Sequence, residues 1–353
     1  LSPDDLRQLA ERGIEPEEFE RQLACFRRGV PAPDLTGPAT RERGIEAIDP
    51  SRHDDLLARW ATAARAGRLS KFVPASGAAS RMFKALETRR HDPTPLTTSQ
   101  LDADRGAEGD AGRIAEFFDR IDDFAFADDL RSGLRDAGHD PDRVLRGDGD
   151  RRVALDVLLG SMGYSDLPKG LIPFHGRGER SRTAFEEHVD EAGSVLAADG
   201  ASRSLHFTVA PEYRARIQEH CRATGTKHEL SFSEQSPSTD TVAVDLDERP
   251  LRDEHGRMVF RPGGHGALID NLNALDADVV FMKNIDNVVP ASRRDVVVHH
   301  HRLLAGVLLE RQERAHDLWR GLHDDPDVLE EAMEFVQNGL HRTPPTAIAT
   351  GGA

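Results

Sequence analysis

From residue 167 onward, short apolar runs alternate with longer segments whose apolar residues recur at helical spacing. Parallel neighbours in a sheet must be joined by long crossover connections, which are usually helices. The alternation therefore predicts a Rossmann-like α/β fold with a mixed, mostly parallel sheet. Ligands of such sheets bind outside the carboxyl ends of the strands. The predicted strands are 171–174, 204–209, 228–232, 241–245 and 278–283, and the helices between them are 182–198, 212–224 and 265–275.

The remainder of the chain is mainly helical and gives the expected domain organisation. Residues 1–68 are predicted to form an N-terminal helical segment, and 69–290 an α/β domain that opens with a strand at 70–75. A helical insertion at 91–165 interrupts this domain and begins with a loop, up to position 109, that is rich in Pro, Thr, Asp and Gly. Long helices fill the C-terminal part, 291–353, where we expect the natural chain to continue.

The charge balance excludes several classes of partner. The chain has 62 acidic and 46 basic residues and a net charge of -16, and an acidic surface repels nucleic acid and anionic lipid. No apolar run approaches the length of about 20 residues that a membrane helix needs, and no signal-peptide pattern begins the chain. We expect a cytoplasmic protein without nucleic-acid or membrane partners. The two cysteines, Cys25 and Cys221, provide neither a disulfide framework nor a Cys-x-x-Cys metal pair.

Lysine is rare in this chain, because nearly all basic residues are arginine. A lysine that is retained against this preference indicates that its own chemistry is needed. The five lysines are Lys71, Lys84, Lys169, Lys227 and Lys283.

Two segments are suited to holding phosphate. The first predicted strand ends in a run of small residues, 76–80, and then opens a helix at Arg81. Small residues let the backbone approach a phosphate, where amide groups, the helix dipole and the arginine attract the negative charge. In the second segment, Pro168 and Pro173 stiffen the chain around Lys169, which the pattern puts at the start of a buried strand. The simpler alternatives are a tight strand-to-helix turn and a surface turn with a solvated lysine.

Two further segments carry polar groups next to strands. Three glycines surround His265 ahead of a helix, so the backbone there can contact a nucleotide closely while the imidazole donates to phosphate or ribose. Asp286 follows the strand 278–283 at its carboxyl end, where a carboxylate suits Mg²⁺ that carries substrate phosphates. A helix cap and a local Asx turn are the alternatives.

Taken in order, these four segments resemble the motifs of the UDP-sugar pyrophosphorylases, which are sugar nucleotidyltransferases of the GT-A type. That resemblance lies in residues 76–82, 168–173, 262–268 and 284–287. Over roughly residues 70–340, the chain also resembles a bacterial family, domain of unknown function 4301. The second resemblance lies in Pro74-Ala75-Ser76-Gly77, Pro168-Lys169-Gly170, the stretch 232–241 and Lys283-Asn284-Ile285-Asp286-Asn287.

The resemblance implies nucleotidyl transfer from a nucleoside triphosphate to a sugar 1-phosphate, with catalysis by positioning and charge neutralisation. It implies that Arg81 and Lys169 bind the triphosphate and that Asp286 holds Mg²⁺. Because Arg81 and Lys169 are 88 positions apart, the helical insertion has to loop out for both to reach one ligand. The implied nucleotide-binding residues are Ala75, Ser76, Gly77, Ala78, Ser80, Gln235, Gly264 and His265. The implied substrate-binding residues are Ser238, Thr239, Asp240 and Asn287.

Two other functions are open at this point. A nucleotide or NDP-sugar binding protein would keep the fold without turnover, whereas a GT-A glycosyltransferase would carry an Asp-x-Asp metal motif at a strand end. Asp245-Leu246-Asp247 has that spacing but precedes a turn-rich hairpin. The sequence specifies neither the base, nor the sugar, nor the oligomeric state.

Overall fold

The structure, a computed structural model, consists of helices packed around one parallel sheet. It describes residues 1–33, 35, 37–77, 79, 82–176, 181–198, 204–322, 325 and 328–342. The helices of the first half are α1 Pro3–Arg12, α2 Pro16–Arg28, α3 His53–Arg65, α4 Lys84–His91, α5 Thr98–Asp104, α6 Asp110–Asp119, α7 Ala127–Asp136, α8 Pro141–Arg146 and α9 Arg152–Leu155. Those of the second half are α10 Ala184–Val195, α11 Arg214–Ala223, α12 Ile269–Asn273, α13 Ala291–Gly321 and α14 Val328–Glu334. The strands are β1 Leu69–Pro74, β2 Pro173–His175, β3 Arg182–Thr183, β4 Ser204–Thr208, β5 Glu229–Ser233, β6 Thr241–Val242, β7 Phe260–Arg261 and β8 Val279–Met282.

Four strands form the central sheet in the order β5-β4-β1-β8, and every neighbouring pair is parallel. β1 lies in the middle, where Lys71 is opposite Leu205 of β4 and Phe281 of β8. The predicted α/β fold is confirmed. When these four strands are numbered in chain order, their order across the sheet is 3-2-1-4. This is the first part of the 3-2-1-4-5-6 strand order of the Rossmann fold. In that arrangement the strand order reverses beside the first strand, so the carboxyl ends of β1 and β8 border the expected ligand crevice.

β1 is buried along its whole length. Leu69 and Val73 point into the core beneath the sheet, and Phe72, which alternates with them, stacks on His206 with 5.5 Å between the ring centroids. A strand covered on both faces is typically a nearly continuous apolar run, and in β1 two of the six residues, Ser70 and Lys71, depart from this pattern. Lys71 interrupts the run, and its charge requires a partner inside the protein.

Three apolar cores hold the described residues together. One lies between the central sheet and the helices α3, α10, α11 and α13. The inserted helices build a second core, to which α4 and the segment after α9 also contribute. The third joins α1 and α2 to the segment of β6 and β7, through residues such as Phe19, Val242 and Met258. The N-terminal helices therefore serve two cores, since α3 packs along α13 whereas α1 and α2 pack elsewhere.

α13 extends over 31 residues and packs against α3 and α10. Its Val298, Ala305 and Leu309 enter the core beneath the sheet. Gly306 has to be a glycine, because a Cβ atom at this position would overlap the backbone of Leu56. Among the described residues, no helix is both long enough and apolar enough to cross a membrane.

The predicted loop up to position 109 contains a helix, α5, that the sequence prediction missed. This helix begins with a capping box, in which Thr97 and Gln100 bind each other's backbone N–H groups. It also buries Leu101 in the core of the insertion. The capping pair was a local signal for a helix, but a single buried leucine gives no periodicity.

The predicted strand at 171–174 does not join the central sheet. It is reduced to β2, which pairs antiparallel with β3 in a separate two-stranded ribbon. Pro173 begins β2, and a proline lacks the N–H group that a central strand must donate. Lys169 consequently lies in a 3-10 turn, Lys169–Leu171, and not at the start of a buried strand.

Candidate functional site

The carboxyl ends of β1 and β8 border a cavity of about 1000 Å³. It lies where the order of the parallel strands reverses, which is the usual position of ligands in open α/β sheets. The lining residues are Pro74, Ser76, Gly77, Lys169, Gln235, Arg261, Pro262, Gly263, Gly264, His265, Leu268, Asn284, Ile285 and Asp286.

The end of β1 provides the first wall of the cavity. The Ala75 N–H group donates to the Thr208 carbonyl at 2.8 Å and keeps the chain in the sheet until the strand ends. Ser76 and Gly77 then leave the sheet and line the cavity. Ala75 itself is buried behind them. The predicted residues Ala78, Ser80 and Arg81 lie outside the described part of the chain.

Backbone hydrogen bonds hold Lys169 next to this wall of the cavity. Its N–H group donates to the Gly77 carbonyl at 3.1 Å, and the Ala79 N–H group donates to the Leu167 carbonyl, also at 3.1 Å. The chain thus leaves the first wall, builds the inserted helices, and returns beside its point of departure. Packing requires a glycine at position 170, because a Cβ atom there would overlap the Phe185 ring.

Lys169 and Asp286 form an ion pair at the edge of the cavity. The lysine Nζ atom is 2.9 Å from Asp286 Oδ2, and the two side chains are 28% and 39% exposed. The hydrogen bond from Lys169 lowers the pKa of the Asp286 carboxyl below its ordinary value, although burial opposes this effect. Asp286 is therefore ionised at neutral pH, and the charges of the pair neutralise each other when no ligand competes.

The segment that contains His265 provides the facing wall. Gly264 precedes a 3-10 turn over His265–Leu268, and both Gly264 and His265 line the cavity. Gln235 lines it as well, and its Nε2 atom is buried without a hydrogen-bond partner among the described residues. A buried donor in this state is a candidate contact for a ligand acceptor.

The four predicted substrate-binding residues lie outside the cavity lining. Ser238 and Thr239 belong to a 3-10 turn over Pro237–Thr239. Asp240 pairs with Arg12 of α1 at 2.7 Å, and burial raises its pKa. The Asn287 N–H group donates to the Asn284 carbonyl at 3.0 Å and closes the turn that contains Asp286.

The donor atoms at the cavity fit a magnesium ion that arrives with phosphates. Within the described ranges, no group of three or more His, Cys, Asp or Glu residues could hold a metal ion. Mg²⁺ in phosphate-processing sites typically keeps several waters and takes only one or two carboxylates in addition to substrate oxygens. Asp286 is such a carboxylate. The residues do not fit a metal ion bound by the protein alone.

A buried charge cluster beneath the cavity was missed by the sequence prediction. Lys71 Nζ is 2.8 Å from Glu191 Oε1, and Lys283 Nζ is 2.6 Å from Glu191 Oε2. Burial lowers the pKa of Lys71 to about 8. Burial opposes ionisation of Glu191 too, but the two lysines lower its pKa to about 2. The available signal was a lysine inside one apolar strand and another directly after a second strand.

Two comparisons with known proteins found matches. The model of a family described as a domain of unknown function (DUF4301) matches residues 2–350. A crystal structure of the uridine diphosphate N-acetylglucosamine pyrophosphorylase from Trypanosoma brucei in complex with inhibitor is similar, with 15% sequence identity and a TM-score of 0.39. The similarity covers 74% of this chain and 39% of that one, so the chain spans well under half the length of this relative. No curated protein matches the sequence.

Proposed function

The chain belongs to the DUF4301 family, and we propose that this member of it is a sugar nucleotidyltransferase. An oxygen of a sugar 1-phosphate forms a bond to the α-phosphorus of a nucleoside triphosphate. The bond between that phosphorus and the bridging oxygen to the β-phosphate breaks, and pyrophosphate leaves with the electron pair. No protein group is covalently modified in this step.

The observation that carries the proposal is the position of the Lys169–Asp286 pair. Nucleotidyl transfer needs a cation that faces the phosphates and a carboxylate for the metal that they carry. The pair supplies both groups, 2.9 Å apart, at the strand ends where α/β sheets bind ligands. The adjoining cavity of about 1000 Å³ is at the upper end of the range of about 300–1000 Å³ that small-molecule sites occupy.

Lys169 neutralises negative charge on the phosphates and orients them for in-line attack. Ser76 and Gly77 are small residues and line the same cavity, so their backbone can approach the phosphates closely. Asp286 is the residue that holds Mg²⁺, which, when bound, neutralises phosphate charge. Arg81 keeps the phosphate-binding role that the family resemblance implies.

Gln235 gives the nucleotide base a hydrogen-bond donor. Its Nε2 atom is buried and has no partner among the described residues, and an unpaired buried donor costs about 1–3 kcal/mol. A carbonyl oxygen on the edge of a base removes this cost. The base therefore lies between Gln235 and the wall at Gly264 and His265.

The test is pyrophosphate release by the full chain, with each nucleoside triphosphate, Mg²⁺ and a panel of sugar 1-phosphates. We expect Lys169→Ala to lower the rate about 10²- to 10³-fold, the usual effect of losing one positioned transition-state donor. Lys227→Ala is the matched control, because Lys227 is an exposed turn lysine away from the cavity. Its rate should equal that of the parent.

Pyrophosphate release, measured together with nucleotide binding, separates the proposal from its alternatives. A parent that binds nucleotide in a calorimeter but releases no pyrophosphate would support a binding protein without turnover. A Lys169→Ala rate equal to that of the parent would remove Lys169 from the site. The glycosyltransferase alternative has less support, because Asp245 and Asp247 lie in an exposed turn and pair with Arg249.

A further inference from the structure

His188 lies directly beneath the turn that contains Asp286. It belongs to α10, which packs on the central sheet, and its side chain is completely buried. Its Nε2 atom is 3.2 Å from the carbonyl oxygen of Asn284 and 3.2 Å from that of Ile285. These two residues immediately precede Asp286.

The surroundings of His188 determine which ring nitrogen carries the proton. Both partners of Nε2 are carbonyl oxygens, which only accept hydrogen bonds, so Nε2 is the donor. Nδ1 is buried without a partner among the described residues. Burial and the nearby charge of Lys71 lower the pKa of His188 to about 3, so the ring is neutral at physiological pH.

The turn after β8 is held from two directions. On the sheet side, the Ile285 N–H group donates to the Pro74 carbonyl at 3.3 Å. From beneath, His188 donates to the carbonyls of Asn284 and Ile285, and the Asn284 carbonyl also accepts from the Asn287 N–H group within the turn. The direction of the Asp286 side chain depends on the orientation of these two peptide groups.

We propose that His188 is a positioning residue that fixes the Asn284–Ile285 backbone and thereby aims Asp286 at the cavity. The inference rests on the proposed function for the ligand, a nucleoside triphosphate with Mg²⁺, but the effect on the backbone can be measured without any ligand. Residues that orient a metal-binding side chain typically change metal affinity or activity about 10- to 100-fold when they are replaced.

The experiment compares three variants of the full chain. His188→Gln keeps an N–H donor near the position of Nε2, whereas His188→Asn is too short to reach the carbonyls. His301→Asn is the control, because His301 is a half-buried histidine whose buried Nδ1 atom also has no partner among the described residues, and it packs on Phe281 of β8. Where His188→Asn does not fold, His188→Leu replaces it, since leucine fills buried space without offering a hydrogen-bond donor.

Two quantities are measured. The first is the Mg²⁺ concentration that gives half-maximal nucleotide binding, which we expect to rise about 10- to 100-fold in His188→Asn. It should stay near the parent value in His188→Gln and His301→Asn. The second is amide hydrogen exchange at residues 284–287 without ligand, which should become faster in His188→Asn and stay unchanged in the other two variants.

A folded His188→Asn protein with parental exchange and parental Mg²⁺ dependence would overturn the inference. The same shifts in His301→Asn would also overturn it, because they would then reflect a general loss of packing. A parent that binds no nucleotide, together with faster exchange only in His188→Asn, would contradict the proposed function and still support the positioning of the turn.

Discussion

Gly263 and Gly264 are adjacent in sequence but have different roles in the cavity wall. A Cβ atom at Gly263 would lie 2.8 Å from the Thr239 carbonyl oxygen, so packing requires this glycine. A Cβ atom at Gly264 would meet no protein atom within 4 Å. Since the fold does not require a glycine at this position, we infer that the space beside it accommodates the ligand.

We expect Gly264→Val to weaken nucleotide binding about tenfold, or about 1.4 kcal/mol, because the side chain would occupy the space of the ligand. Gly266→Val is the matched control, since Gly266 has similar room for a Cβ atom but does not line the cavity. Isothermal titration calorimetry measures the affinities, and thermal unfolding checks that both variants fold. Equal affinity loss in the two variants would contradict a ligand at Gly264.

Short-range patterns made part of the site predictable at the residue scale. Lys169, His265 and Asp286 stand beside glycines, prolines or strand ends, and the structure places all three on one cavity. The partner of Asp240 was not predictable, because Arg12 is 228 residues away in the sequence. Periodicity likewise predicts that α10 is a helix but not that Glu191 faces two strand lysines.

At the scale of elements, an ion pair joins α1 to the chain between β6 and β7. Asp5 forms the capping box of α1 together with the N-cap residue Ser2, and its carboxylate accepts two hydrogen bonds from Arg252, at 2.8 and 3.0 Å. The Asp5 side chain is buried, whereas Arg252 is partly exposed. The bond from Arg252 holds the pKa of Asp5 well below its ordinary value, despite the opposing effect of burial.

A carboxyl with a lowered pKa in the folded state stabilises the protein above its unfolded pKa of about 4, and this contribution is lost as the pH falls. We therefore expect Asp5→Asn to lower the free energy of unfolding by about 1–2 kcal/mol at pH 7, allowing for solvent around Arg252. The difference between parent and variant should shrink steadily below about pH 4. Urea denaturation at several pH values measures it, and a difference independent of pH would contradict the assignment.

The sequence predicted the elements of the central sheet better than those around it. β8 is an apolar run and β1 is mostly apolar, whereas apolar and polar residues alternate in β4 and β5, and each of these patterns is typical of a strand. β2 and β6 are shorter than predicted, because antiparallel ribbons at the surface bury only part of an apolar run. Local patterns do not distinguish these two environments.

At the scale of the whole molecule, a net charge of -16 conflicts with the binding of polyphosphates. The fold lessens this conflict locally, because two of the five lysines are placed beneath the cavity and a third at its edge. Lys71 and Lys283 share the single charge of Glu191, so the buried cluster is positive overall. Lys71 lies within β1, but Lys283 directly follows the carboxyl end of β8, where its positive charge favours an anionic ligand.

Glu191 is the residue on which the stability of this cluster depends. Its side chain and that of Lys71 are 5% and 1% exposed, so Glu191→Gln leaves two lysines without a counter-charge. We expect the free energy of unfolding to fall by about 3–5 kcal/mol at pH 7, the usual result of removing one partner of a buried pair. Asp190→Asn is the control on the same helix, where loss of an exposed pair should cost at most about 1 kcal/mol.

The pKa of Lys71 is lowered to about 8, so above that pH the parent lysine is also uncharged and needs its partner less. The loss caused by Glu191→Gln should therefore decrease as the pH rises from about 6 through 8, and stay level above about pH 9. Urea denaturation across this range provides the measurement, and a loss that grows with pH would contradict a charged Lys71 at neutral pH.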